Sequence, residues 1–414
     1  MVMKKVKDVL IVGGGVMGSS AAYHLAKKAP HLKITVLERS FAYKRASAVL
    51  SAGGIRMQFS ERPNIEMSQY GIHFLKNAGE LLHVPGHDAV DVQFTEGGYL
   101  FLASGRGATV LDQNHATQRS VNAKVALMTP AELTGRFPWL DTTGIARGSL
   151  GLQDEGWFDP WSYLTGLKRA NLHLGVEYVE GTVVAPMAKT KGHDHVIIDH
   201  VTVATSQGQL VQFAPGHVVN AAGAWAHDVA VLAGVSDLPV RARKRTVFVF
   251  HCPEAATWTG TMASPLVIDP SGVYFRREGA AGQFICGVSP AAADDHDCDG
   301  EDLLQPDHAL FDDVIWPTLA ARVPAFNELK LVNAWAGFYD FNTFDHNAIV
   351  GRHPDVPNLL CINGFSGHGL QQSPAAGRAI AELIVDGGFT SLDLTCFEFD
   401  RIRNNKPYFE QNIV

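Results

Sequence analysis

Cysteine is scarce in this 414-residue chain: five residues, at 252, 286, 298, 361 and 396, with no C-x-x-C pair. So odd and scattered a set in a large chain excludes a disulfide framework and reads as reduced thiols in a cytoplasmic protein. No dense Lys/Arg run is present, and the net charge of −8 argues against a nucleic-acid surface. No apolar stretch approaches the roughly 20 residues of a membrane span. The N-terminus enters a strand within about ten residues, so no signal peptide is expected. Internal repeats and low-complexity tracts are also missing. What remains is 46% hydrophobic and 18% charged, enough for two or three domain-sized cores.

The first informative stretch is DVLIVGGGVMGSSAAYHLAKKAPHLKITVLER. It reads as a strand, a glycine-rich turn, a helix and a second strand closing on an acid. Gly13, Gly15 and Gly18 fit G-x-G-x-x-G. The first allows the sharp turn, the second lets a diphosphate approach the backbone, and the third lets the helix pack on the sheet. The helix N-terminus offers free N–H groups to the anion. Glu38 is placed to accept hydrogen bonds from ribose hydroxyls and to repel a 2′-phosphate. NAD and FAD satisfy this motif equally.

Further along, residues 60–82 read as helical, and residues 92–103 (VQFTEGGYLFLA) as a strand pair about a Gly-Gly turn. Residues 131–136 read as a short helix. Asp159 and Pro160 mark a helix start as N-cap and N1. A meander follows, then VVNAAGAWA as strand, small-residue turn and helix. Strands dominate from 240 to 287, a helix spans HALFDDVIWPTLAARVP, and LLCINGFSGHGLQQSPAAGRAIAELIVDGG returns to strand, turn and a helix from about Pro374. The expected fold class is α/β: a discontinuous Rossmann-type domain of residues 1–93, 152–238 and 335–414, with an inserted β-rich α+β substrate domain of residues 94–151 and 239–334.

The loop CINGFSGHGLQQSP distinguishes the two dinucleotides. It is a second amide-lined cradle at a helix N-terminus, and NAD needs only one. A flavin needs another, because its reduced ring carries charge at N1 and the C2 carbonyl.

With VGGGVMGSSAAYHLA and Glu38, SAGGIRMQF, VVNAAGAW, WAGFYDFNTFDHNAIVG and GFSGHGLQQSPAAGRAIAEL quoted together, the chain resembles the D-amino-acid oxidase and sarcosine oxidase group of FAD-dependent amine oxidoreductases. Within it the likeness is greatest to the branch of the dehydrogenase-type β subunits and of a mitochondrial FAD-dependent oxidoreductase domain protein linked to respiratory complex assembly. The resemblance implies bound FAD and oxidation of the C–N bond of a secondary or tertiary amine, such as an N-substituted amino acid, to an imine. It assigns Gly13, Gly15, Val16, Met17, Glu38 and Arg39 to the ADP end, and Ser47, Ser51 and Gly53 to the loop beside the pyrophosphate and flavin. Val183 goes to the adenine, and Ala222, Gly223 and Trp225 to a third FAD segment. Gly367, His368, Gly369, Leu370 and Gln371 go under the pyrimidine ring. Arg56 is implied near the flavin's reactive edge.

Three departures from the group shape the expectation. Its covalent tether is a cysteine where Gly337 stands, so FAD is expected to be non-covalent. Its carboxylate-binding arginine and lysine are replaced by Phe59 and Gln371. Its oxygen-activating lysine is replaced by Phe284 or Ile285, which favours a dehydrogenase passing electrons to a protein or quinone. Period-2 alternation puts Tyr274 and Arg276 on one face, making Arg276 a candidate carboxylate clamp. Tyr339, beside Gly337, is a candidate substrate contact, and His368 a candidate base or a brace for its loop. Two other readings are a 2-hydroxy-acid or polyol-phosphate dehydrogenase on the same scaffold, and a non-catalytic FAD-binding assembly factor.

No metal site is expected. DHDCDGE, with Asp295, Asp297, Asp299 and Gly300, lacks the glutamate of a calcium loop and reads as solvated. His193, His195 and His200 read as a hairpin rim. In VRARKRT, Arg241, Arg243 and Arg245 share a strand face. That face is either solvated or brings Arg243 or Arg245 to the substrate or to an electron-accepting partner.

Overall fold

In the computed structural model, which describes residues 3–191, 196–260, 263–279, 281–298 and 305–411, Val9, Leu10 and Ile11 are fully buried. They lie in β1 (Met3–Val12), the fourth strand of an eight-stranded sheet. Its neighbours, both parallel to it, are Leu210–Asn220 and β2 (Ile34–Glu38). A strand paired on both edges and covered on both faces has no need of polar alternation. The full order is Ile349–His353, Val356–Asn363, Leu210–Asn220, β1, β2, Glu177–Val183, Val196–Thr205 and Ala188–Lys191. Between β1 and β2 lies α1 (Val16–Lys28). The dinucleotide unit expected from the sequence is therefore present.

The long helix Gly369–Val385 crosses α1 so closely that a Cβ on Gly377 would fall 2.2 Å from Ser20 Oγ. It begins at Gly369, not at Pro374 as the sequence predicts. Pro374 sits one turn inside the helix, and the helix survives because Ser373 Oγ donates to Leu370 O at 2.9 Å. That carbonyl is the one deprived of an amide by the proline.

A second eight-stranded sheet runs Lys330–Asn342, Val240–His251, Gln283–Val288, Val273–Arg277, Leu266–Ile268, Tyr99–Ala103, Arg147–Gly151 and Val125–Met128. One of its faces packs an aromatic cluster of Phe248, Phe250, Phe275, Phe284 and Phe326. The strand Lys330–Asn342 passes straight through the boundary placed between 334 and 335, because it pairs with Val240–His251 along its whole length. Residues 92–103 are not a hairpin. Only Tyr99–Ala103 is a strand, and its partners are Arg147–Gly151 and Leu266–Ile268. The helix Pro160–His173 starts as predicted, with the Asp159 carboxylate accepting from Trp161 N and Ser162 N. No helix of the described residues is long and apolar enough to cross a membrane.

Candidate active site

The turn after β1 sorts its glycines by what surrounds them. Gly13 has φ of +109°, and a Cβ there would lie 2.3 Å from Ala221 O; a Cβ on Gly18 would lie 1.9 Å from Gly13 O. A Cβ on Gly15 would have no atom of the described residues beyond its own chain neighbours within 4 Å. Gly13 and Gly18 are needed by the fold itself, whereas Gly15 faces open space, where an anion would reach the helix N-terminus. Glu38 fixes the turn as well, since its carboxylate accepts Gly14 N at 2.9 Å and Ser40 N at 3.0 Å.

The second cradle meets the first. A Cβ on Gly369 would touch Met17 Cε at 2.7 Å. Both loops line one cavity of about 600 Å³. Of the cofactor residues expected from the sequence, Gly13, Gly15, Val16, Met17, Glu38, Arg39, Ser47, Ser51, Val183, Ala222, Gly223, Trp225, Gly367, Gly369 and Leu370 all line it. The guanidinium of Arg39 lies 4.1 Å from the Trp225 ring centre, and that of Arg45 5.5 Å, so the stretch after β2 and the 222–225 turn meet beside the cavity.

A smaller chamber of about 90 Å³ opens from the cavity. Ser47, Ser51, Phe338, Tyr339, Gly367 and Leu370 line both. Gly53, Arg56, Tyr274, Gly337, His368 and Gln371 line the chamber only. Its walls come from the second sheet, which contributes Tyr99, Arg245, Val247, Leu266 and Ile268, and from residues 47–56 and 367–371.

Arg56 is held rigidly. Its amide donates to Gln371 Oε1 at 2.7 Å, its Nη1 donates to Gln58 O at 2.7 Å, and its guanidinium sits 4.0 Å from the Phe59 ring centre. Behind it, Glu155 accepts Met57 N at 2.7 Å and Gln58 Nε2 at 2.8 Å, and Gln58 Oε1 accepts Ser149 Oγ at 2.7 Å. Burial pushes the Glu155 carboxyl up to about 7, against the pull of those donors. His368 packs edge-on to Phe59 at 5.4 Å. Burial, then the Arg56 charge, hold His368 down to about 3, and neither ring nitrogen has a hydrogen-bond partner among the described residues.

Arg276 lines neither space. The alternation does put it on Tyr274's side, but Nε donates to Ala52 O at 2.7 Å, Nη1 to Arg277 O at 2.7 Å, and Glu278 pairs with it. It braces the 47–53 loop and is not positioned as a carboxylate clamp. Of the two lysine replacements, Phe284 is buried in the aromatic core, whereas Ile285 packs with Val247, Val249 and Ala52. The acidic loop is not simply solvated: Asp295 pairs with Arg245, and Asp297 with Arg243. His200 pairs with its neighbour Asp199. His193, His195, Asp299 and Gly300 lie outside the described residues. No cluster able to hold a metal occurs among the described residues.

Sequence reasoning missed Tyr99, Glu155 and Asp340. Asp340 lines the large cavity and accepts the amides of Gly364 and Phe365 at 2.8 and 3.3 Å. Its only sequence signal was a lone acid after Gly337-Phe338-Tyr339. None of the five cysteines lines either space.

Comparison with known proteins fits this geometry. Residues 8–383 match the family model described as FAD dependent oxidoreductase (DAO). FAD-dependent oxidoreductase domain-containing protein 1 of Xenopus laevis is 48% identical, over 98% of this chain and 85% of that protein. The structure of L-proline dehydrogenase from P. horikoshii superposes with a TM-score of 0.80 at 24% identity, covering 99% of this chain and 100% of that one. Glycine oxidase from Geobacillus kaustophilus gives 0.76 at 21% identity, covering 95% and 98%. At these identities the two structures share the fold.

Proposed function

Because the chain belongs to the DAO family of FAD-dependent oxidoreductases, we propose that it oxidises the C–N bond of a secondary or tertiary amine, an N-substituted or cyclic amino acid, to an imine. The reading also makes it a dehydrogenase that hands its electrons to a protein or quinone. FAD is the cofactor, and the residues present fit it: open space at Gly15, a joined second cradle at 367–371, and one continuous cavity between them. Gly13, Gly15 and Glu38 would hold the ADP end, and Gly367, Gly369 and Leu370 the isoalloxazine end, without a covalent link. Bound there, FAD supplies a two-electron hydride acceptor.

The chain's own residues bind and orient the amine. His368 is the observation that carries the reading. It is a neutral imidazole at the chamber wall with two nitrogens unpartnered among the described residues, one of them able to accept a hydrogen bond from the N–H of a secondary amine. Arg56 and Arg245 line the chamber, and no carboxylate does among the described residues, so an anionic group on the substrate is favoured. Leu266, Ile268 and Val247 give a dry wall for an N-alkyl substituent. An ammonium cannot release hydride, so the substrate must shed a proton first, and the two guanidiniums disfavour the charged amine. No lysine lines the chamber among the described residues, which favours slow reaction with oxygen.

Anaerobic mixing of the yellow holoprotein with N-methyl amino acids, cyclic imino acids and 2-hydroxy acids tests this. Bleaching by the amines alone, with faster re-oxidation by a quinone than by oxygen, is expected. Bleaching by hydroxy acids alone, or by nothing, defeats the amine reading; rapid re-oxidation by oxygen defeats the dehydrogenase assignment.

A further inference from the structure

We propose that Arg245 is the anion-binding group of the substrate chamber, and that Asp295 occupies its fork until the substrate's own carboxylate takes that place. The inference deepens the amine-oxidation reading and rests on it for the nature of the substrate.

Among the described residues two guanidiniums line the chamber, and they are not equivalent. Arg56 is committed to Gln58 O, to the Phe59 face and to the loop beside Gln371. Arg245 enters from the second sheet, where its backbone pairs with Gly337, and its guanidinium lies 4.7 Å from the Tyr339 ring centre. That places it at the junction of chamber and cofactor cavity, which Tyr339 lines on both sides. Its Nη1 and Nη2 donate to the two carboxylate oxygens of Asp295 at 2.7 and 2.8 Å. This is the side-by-side geometry by which an arginine recognises a free carboxylate. Its Nη1 also donates to Lys244 O at 2.9 Å, and its Nε is buried without a hydrogen-bond partner among the described residues.

Asp295 itself lines neither space. It stands on a loop laid along the strand Val240–His251, and that loop is anchored without it. Cys298 N donates to Ala242 O at 2.9 Å, and Asp297 pairs with Arg243 Nη2 at 2.9 Å. Arg243 Nη1 is also 4.0 Å from Asp295. When Arg245 turns to a substrate, Asp295 keeps a cation beside it, so no buried charge is stranded. Exchanging one carboxylate for another on the same fork avoids the desolvation cost that burying a new, unpaired ion would carry. Asp295 thus tunes how strongly the chamber holds an anion and discriminates against amines that carry no carboxylate.

The test uses the FAD-loaded full chain and methoxyacetate, an unreactive ether analogue of an N-methyl amino acid, with neutral methoxyacetamide beside it. Binding is read as a perturbation of the flavin absorption band, so no turnover is needed. Methoxyacetate should saturate and methoxyacetamide should not. Asp295→Asn should tighten methoxyacetate at least about tenfold, since the fork loses its charged competitor. Arg245→Met should weaken it by about a hundredfold, and Arg245→Lys by less, because a lysine keeps the charge and loses the fork. Unchanged or weakened binding in Asp295→Asn, or wild-type binding in Arg245→Met or Arg245→Lys, overturns the proposal. Asp295→Asn and Arg245→Lys keep it testable should Arg245→Met not fold. If methoxyacetate binds through Arg245 while no amine bleaches the flavin, amine oxidation alone is wrong. If amines bleach it and KM is indifferent to both residues, Arg245 recognition alone is wrong.

Discussion

The carboxylate of Asp340 accepts the backbone N–H of Gly364 at 2.8 Å, and the Asp340 carbonyl accepts Ser366 N at 3.1 Å. One residue thereby pins both ends of the turn that leads into the flavin-end cradle. Asp340→Ala would leave two buried amides short of an acceptor, a cost of about 1–3 kcal/mol. The expected outcome is a ten- to hundredfold rise, roughly, in the FAD dissociation constant, read by titrating apoprotein against flavin fluorescence. An unchanged constant would remove Asp340 from the cradle.

Gly15 and Gly18 should separate cofactor binding from folding. A methyl at Gly15 meets no atom of the described residues beyond its chain neighbours, so Gly15→Ala should shift apoprotein stability by no more than ~1 kcal/mol while abolishing high-affinity FAD binding. A methyl at Gly18 meets Gly13 O at 1.9 Å, so Gly18→Ala should destabilise the apoprotein by about 1–3 kcal/mol or more. Denaturant unfolding with and without FAD checks both. Equal stability losses in the two variants would refute the distinction.

Much of this was legible in the sequence, and the reasons are physical. The motif from Gly13 to Glu38 declares itself because backbone sterics restrict which residues can stand in a turn of that shape. The second cradle was readable for the same cause. Arg276 was misjudged because alternation predicts which side of a strand a residue faces, not where a long side chain ends; Ala52 O and Glu278 claimed it. Pro374 misled because the hydroxyl that rescues its helix comes from the adjacent serine, a repair that reads as an ordinary Ser-Pro turn. Glu155 and Asp340 were obscure because their partners, such as Gln58 and Gly364, are distant in sequence or sit in loops without periodicity.

Glu155 should leave a signature in stability. Its folded value of about 7 exceeds the ordinary 4.5, so between those pH values the folded state holds a proton that the unfolded chain has lost. The stability it contributes is full below pH 4.5 and is lost as pH rises through 7, by up to ~3 kcal/mol. Glu155→Gln should flatten this slope in denaturant melts from pH 4.5 to 7.5. A slope identical to that of the parent protein would contradict the assignment.

His368 should be silent where an exposed histidine would titrate. Held down to about 3, it is neutral throughout the working range. The rate of anaerobic flavin reduction should therefore rise with pH along the ionisation of the substrate's own ammonium. Two substrates of different amine basicity should show inflections that differ accordingly. A common inflection near the usual histidine value for both would assign the titration to the protein instead.

Ser20 Oγ donates to Ser373 O across 353 residues of chain, and that separation has a biosynthetic consequence. At roughly 5–20 residues per second, the ribosome delivers the second cradle tens of seconds after the first. Throughout that interval the nascent nucleotide motif has no partner with which to enclose a flavin. Enclosure of the flavin is thus expected to follow synthesis of the far loop and not to accompany folding of the first motif.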